Sequence, residues 1–215
     1  LDSGTLADGQ MYYTMEYVPG ADLDQVWREL SDRTAEMGVT DLPDTAFAEA
    51  VACNSGYLKR LIERDRDFAF QCFTMSPGDL MARVVAETRD VWGLAENQDD
   101  LMRALRLGKG RAALVTALCD LAGFWNAEIV TRWLTDFADA ALCSSVDYLL
   151  AAAEKSGKLN SSGGETPSAD SGYFIFGMGK YGAHELNYSS DIDLIVFYDT
   201  LVCKCADGVE PSVFF

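Results

Sequence analysis

The chain has 215 residues, 49% of them hydrophobic and 24% charged, enough to bury a core of one or two domains. Its formal net charge is −17, and residues 1–50 alone hold eleven acids against two bases. A surface of that sign excludes nucleic acid as a partner, because binding there trades counterions on phosphate for Lys and Arg. No apolar run approaches the ~20 residues of a membrane span, and no charged-then-apolar signal segment opens the chain, so no membrane association is expected.

Residues 1–20 form an N-terminal segment apart from the rest. Asp8-Gly9 is a turn signal, Gln10 to Val18 is aromatic and β-prone, and Pro19-Gly20 ends it. The stretch MYYTMEYVPGADL, Met11 to Leu23, resembles the hinge segment of a protein kinase. The glycine-rich loop, strand lysine, His-Arg-Asp and Asp-Phe-Gly motifs of a kinase are all missing, which excludes that activity.

From residue 21 to 155 the pattern is helical. Ser76-Pro77-x-Asp79 sets an N-cap, a proline at the first helical position and an acid three residues past the cap. Asn97 with Asp100 repeats that logic less strongly. The strongest helix runs from Asn126 to Lys155. Its adjacent rows Ile129, Trp133, Phe137, Ala141 and Val130, Leu134, Ala138, Leu142, continued by Val146, Leu149 and Leu150, are expected to face the core. Arg103, Arg106, Lys109 and Arg111 form either a solvated face or a docking surface for an acidic partner.

Six cysteines are present. Cys53, Cys72, Cys119 and Cys143 lie in helical, largely apolar contexts that suit reduced core thiols. Cys203 and Cys205 make a lone Cys-x-Cys, and with one histidine in the chain a four-ligand zinc site is short of donors. A reducing cytoplasm is the expected compartment.

Residues 156–172, SGKLNSSGGETPSADSG, read as a linker. After it the period switches to strands. Tyr173 to Asp199 predicts a strand, a glycine turn, a short helical segment, and a second strand opening on Asp191 and Asp193. Alternation along that strand would set both carboxylates on one face, ~7 Å apart, with Ile192 and Leu194 turned to the core. Two such carboxylates can share divalent cations, and Gly177 and Gly179 let backbone approach a phosphate. Together these are the minimum for nucleotidyl or phosphoryl transfer.

The wording GMGK-x-G-x-x-ELNYSSDIDLI closely resembles the bifunctional glutamine synthetase adenylyltransferase/adenylyl-removing family, within the nucleotidyltransferases related to DNA polymerase β. Glu185 to Ser190 is similar to the lead-in of that family's N-terminal half. Three upstream stretches resemble it more loosely: Asn54-Ser55-Gly56-Tyr57-Leu58, the basic run from Leu105-Arg106 to Asp120-Leu121-Ala122-Gly123, and LTDFADAA from Leu134 to Ala141.

The resemblance implies an α+β fold: a largely helical region at 21–155, a linker at 156–172, and the start of a polymerase β-like nucleotidyltransferase α/β domain at 173–215. It implies phosphate-dependent removal of AMP from a tyrosine of glutamine synthetase, with ADP as product. The family's other half attaches AMP from ATP, and a PII signalling protein regulates both. Asp191 and Asp193 would hold Mg²⁺ or Mn²⁺, and Gly177, Gly179 and Lys180 would meet the phosphates. Lys180 reads equally as solvent-exposed. Ser189 and Ser190 would either hydrogen-bond phosphate or cap the turn, and Asn187 and Glu185 would shape it. The family's third carboxylate has no counterpart here, so the chain reads as a fragment with an incomplete metal site. The alternatives are a nucleotidyltransferase with another substrate and a non-catalytic helical interaction module.

Overall fold

A computed structural model describes residues 2–5, 11–14, 45–160 and 163–210. The chain divides into two compact units, Leu1–Met75 and Ser76–Phe215. Most of the kinase-hinge-like stretch, from residue 15 onward, lies outside the described residues.

In the first unit, β1 (Asp2–Thr5) pairs antiparallel with β2 (Met11–Thr14). Among the described residues three helices follow: α1 (Thr45–Asn54), α2 (Gly56–Arg64) and α3 (Arg66–Gln71). The Asn54-Ser55 pair marks a helix junction. Asn54 Nδ2 donates to the Ala50 carbonyl at 2.8 Å, and Ser55 Oγ caps α2 by accepting from Leu58 N at 3.3 Å. Asp65 ends α2 and starts α3, its Oδ1 accepting from Phe68 N. Leu58, Ile62, Phe68 and Ala69 are buried.

The second unit is built on α4 (Pro77–Asp90), α5 (Gln98–Leu121) and α6 (Ala127–Lys155), each packed on the other two, with a 3₁₀ turn at Val91–Gly93. Ser76 does cap α4 by position, with Pro77 following, but its side chain makes no capping bond. The weaker-looking signal is the fuller one. Asn97 Oδ1 accepts from Asp100 N at 3.0 Å while its Nδ2 donates to Asp100 Oδ2 at 2.7 Å, a reciprocal box. Asn126 caps α6 where the sequence placed its start.

Leu80, Met81, Val84, Leu114, Val115, Val130 and Phe137 fill the interhelical core. Gly108 lets α5 approach closely: a β-carbon there would lie 2.7 Å from Thr88 Oγ1 and 3.2 Å from the Phe137 ring. The apolar rows of α6 supply only part of its buried face: Val130, Phe137 and Leu150 are buried, but the rows also run onto exposed positions. Ile129 and Leu149 are 38% and 58% exposed, whereas Thr135, Ser144 and Asp147 are fully buried. Their polar atoms are satisfied inside the fold, so they join the core stripe without adding to its hydrophobic pattern. Ser144 Oγ accepts from Trp92 N at 3.1 Å. Asp147 accepts from Arg89 Nη1 at 2.6 Å and from Ser168 N at 2.8 Å. Trp133 packs, stacking on Trp125 with ring centroids 6.1 Å apart.

Of the four cysteines expected in the core, Cys72 and Cys119 are buried, but Cys53 and Cys143 are exposed. They lie on the outward side of helices whose other face is packed. Among the basic cluster, Arg103 is exposed and reaches Asp100, while Arg111 is half-buried and lies 3.6 Å from Glu87.

The segment after α6 carries little regular structure but is pinned. Leu159 bridges Cys205, Asn160 N donates to the Lys204 carbonyl, and Ser168 is held by Asp147. β3 (Tyr173–Met178) then leads through a single turn, α7 (Gly179–Gly182), and an irregular loop to β4 (Asp193–Tyr198). The strands pair antiparallel from Tyr173↔Tyr198 to Met178↔Asp193. The described residues form the α+β architecture expected, mostly helical with two small antiparallel sheets. Among the described residues no helix is long and apolar enough to cross a membrane.

One expectation about the hairpin fails. Ile192 and Leu194 do not enter a core; they are 43% and 37% exposed. A two-stranded sheet has two faces, and here the Phe174, Phe176 and Phe197 rings cover one another rather than meeting a second layer.

Candidate active site

Antiparallel pairing returns β4 to the point where β3 ended, so the glycine turn and Asp193 share the mouth of the hairpin. Three glycines make that mouth. Gly177 carries no side chain because a β-carbon would sit 2.7 Å from the Tyr181 ring. Gly182 folds back so far that a β-carbon would lie 2.3 Å from the Gly177 carbonyl oxygen. Gly179 has φ +57°, the left-handed region that glycine occupies at no steric cost. The side on which a β-carbon would project faces Asp193, at 3.7 Å from Oδ2.

Strand pairing starts at Asp193, with Asp191 in the loop before it. Alternation therefore governs Asp193 alone and does not place Asp191 on the same face. Both aspartates are exposed, as are Lys180 and Ser189, while Ser190 is half-buried. The serines are engaged in their own turn. Asn187 Oδ1 accepts from Ser189 N at 3.1 Å and from Ser190 Oγ at 2.9 Å, and Asn187 N donates back to Ser190 Oγ at 3.1 Å. Asn187 thus organises the turn that carries both serines.

The loop between turn and strand is tied to the helices at three points that sequence reasoning did not find. Tyr181, 5% exposed, donates its hydroxyl to Asp139 on α6. Burial, reinforced by that carboxylate, drives its phenol well above the usual range. Leu186 is buried, and its N–H donates to Thr135 Oγ1, also on α6, at 3.4 Å. Tyr188 reaches Asp120 at the end of α5, 3.2 Å away; burial first, then that acid, raises its phenol too. The signal was present but unconnected: Asp120 and the 134–141 stretch were singled out as separate motifs, and the fold brings both to the 181–188 loop.

A cavity of about 450 Å³ lies between α6 and β3, lined by Asp139, Cys143, Ser168, Tyr173, Gly177 and His184 among others. Asp191 and Asp193 are not in its wall, but Gly177 and Gly182 of the hairpin mouth are.

Two exposed carboxylates beside a glycine turn are hard oxygen donors open to solvent, a donor set that fits Mg²⁺ or Mn²⁺. At the mouth of the antiparallel hairpin a glycine turn is laid against Asp193. Residues 45–215 match the family model of glutamate-ammonia ligase adenylyltransferase, and the chain belongs to that family.

Relatives described as bifunctional glutamine synthetase adenylyltransferase/adenylyl-removing enzyme include one from Agrobacterium fabrum, 40% identical over 71% of this chain and 16% of its own length. One from Bradyrhizobium diazoefficiens is 40% identical over 75% of this chain and 16% of its own length. A third, from Bradyrhizobium sp. strain ORS 278, is 35% identical over 97% of this chain and 22% of its own. The chain thus spans about a fifth or less of these curated relatives. No solved structure matches it.

Proposed function

We propose that the hairpin mouth is an adenylyl-transfer centre that removes AMP from a tyrosine of glutamine synthetase, with inorganic phosphate as acceptor. The observation that carries this reading is the glycine turn set against Asp193. In the reaction a phosphate oxygen forms a bond to the α-phosphorus of the AMP–tyrosine ester. The bond from that phosphorus to the tyrosine oxygen breaks, the phenolate takes a proton, and ADP leaves.

Asp191 and Asp193 would hold Mg²⁺ or Mn²⁺, which when bound neutralises charge on the transferred group and lowers the pKa of an attacking oxygen. Gly177, Gly179 and Gly182 keep side chains out of the turn, so the α-phosphate can approach backbone N–H groups there. Lys180, exposed beside them, adds a positive charge for phosphate. Asn187 and Ser190 hold the turn that delivers Asp191, with Ser189 at its tip. Attachment of AMP from ATP and regulation by a PII signalling protein belong to the same proposal for the whole protein. So does a cytoplasmic location, in keeping with six free thiols.

The test is phosphate-dependent ADP release from adenylylated glutamine synthetase, with Mg²⁺ or Mn²⁺. The chain is compared with its Asp191→Asn/Asp193→Asn variant, which should lose at least about a hundredfold in kcat if these groups carry the metal. Equal release from both would overturn the site. No release from either, with metal-independent binding to glutamine synthetase retained, would favour the interaction module.

A further inference from the structure

A second group of metal-ligating side chains lies away from Asp191 and Asp193. We propose that Asp136, Asp139 and His184 bind a first-row transition-metal dication, Zn²⁺ being the best match, and that this ion staples the loop after the glycine turn to α6. One ligand atom from each residue lies within 4.8 Å of the other two. Ligands about 2.1 Å from a tetrahedral Zn²⁺ sit ~3.4 Å apart, so side-chain rotation of roughly 1–1.5 Å closes the site.

The three residues come from two elements. Asp136 and Asp139 are three apart on α6 and project from one face of it. His184, the chain's only histidine, follows α7 with φ +57°. That conformation is uncommon for a residue with a β-carbon, and the His184 N–H donates to the Tyr181 carbonyl at 3.1 Å. Tyr181 also fixes Asp139 through Oδ1, the kind of outer partner that orients a metal-binding carboxylate. Arg132 lies 3.9 Å from Asp136 Oδ2, a long and exposed contact that the ion would outcompete.

The donor set chooses the metal. One imidazole nitrogen with two carboxylates suits Zn²⁺ or Mn²⁺ better than Mg²⁺, which prefers oxygen alone and keeps its water. The cavity of about 450 Å³ lined by Asp139 and His184 supplies the open side, where water can complete the coordination. None of this depends on the adenylyl-transfer reading, since the trio shares no residue with it.

The experiment is calorimetric titration with Zn²⁺ alone of the full chain carrying Asp191→Asn/Asp193→Asn, which removes the carboxylate pair at the hairpin mouth, with Co²⁺ absorption as a spectroscopic check. One saturable site per chain is expected, with visible Co²⁺ bands and no thiolate charge-transfer band. His184→Asn, which tolerates the left-handed backbone, and Asp136→Asn should each weaken Kd at least tenfold. Cys203→Ser/Cys205→Ser should bind as that background does. Hydrogen exchange across residues 183–190 should slow when Zn²⁺ is added. Absence of saturable binding at micromolar Zn²⁺, unchanged affinity in both the His184 and Asp136 variants, or loss in the cysteine pair would each overturn the site.

Discussion

The helices of residues 77–155 and the hairpin of residues 173–198 handle burial in opposite ways. α4, α5 and α6 hide Leu80, Met81, Leu114 and Val115 almost completely, and even take in the charge of Asp147. The hairpin leaves Phe176 54% exposed and stays open along nearly all of β4. A pair of strands alone is marginal in water. The site at its mouth therefore draws its order from the helices, through Tyr181 to Asp139, Leu186 to Thr135 and Tyr188 to Asp120. The helical region acts as support, and the loop it holds carries the proposed site.

Asp147 is the sharpest probe of that division, because it joins both parts through Arg89 and Ser168. Asp147→Ala should cost about 3 kcal/mol by denaturant unfolding, since it strands a guanidinium and a backbone N–H. Hydrogen exchange in the hairpin should speed up with it; unchanged exchange there would break the link between the regions. The pH dependence has a definite sign. Burial alone pushes this carboxyl up, but the Ser168 hydrogen bonds and the Arg89 guanidinium outweigh it and leave it below the usual range. Its stabilisation is then complete above about pH 4 and is lost as pH falls through the folded value. Asp147→Asn should flatten that acid limb.

Gly182→Ala tests the hairpin mouth without touching the helices. The new β-carbon meets the Gly177 carbonyl, a backbone atom that cannot turn aside. About 2 kcal/mol of destabilisation is expected, concentrated in the hairpin by hydrogen exchange. Tyr188→Phe removes one exposed tether to Asp120 and should cost about 1 kcal/mol or less. A global loss as large as that of Asp147→Ala would mean that the loop supports the helices, and not the reverse.

The smallest effect is chemical. Cys119 is buried, its thiol pushed up to about 12 by burial, whereas Cys143 is exposed on α6. Alkylation at neutral pH should label Cys143 well before Cys119; equal rates would indicate that the helical region opens as freely as the hairpin.

Most of the architecture could be read from local pattern. The cap at Asn126, the 29-residue helix behind it, the two strands, the glycine turn and the candidate residues Asp191 and Asp193 all lie within short windows of sequence. The orientation of α6 could not be read this way, because Thr135, Ser144 and Asp147 are buried with their polar atoms satisfied by distant partners. The same limit applied to the loop serines. No local preference shows that both bond Asn187.

By itself, then, the sequence determined the family, the helical and strand segments and the aspartates of the proposed site, since capping, periodicity and turn chemistry act over a few residues. Tertiary structure alone decided three things. These are that Asp120, Thr135 and Asp139 reach the 181–188 loop, that Asp193 lies beside Gly179, and that His184 meets Asp136 and Asp139. Each joins residues from 14 to 68 positions apart. Only the packing of α5 and α6 and the return of the hairpin set those distances, and no local preference encodes them.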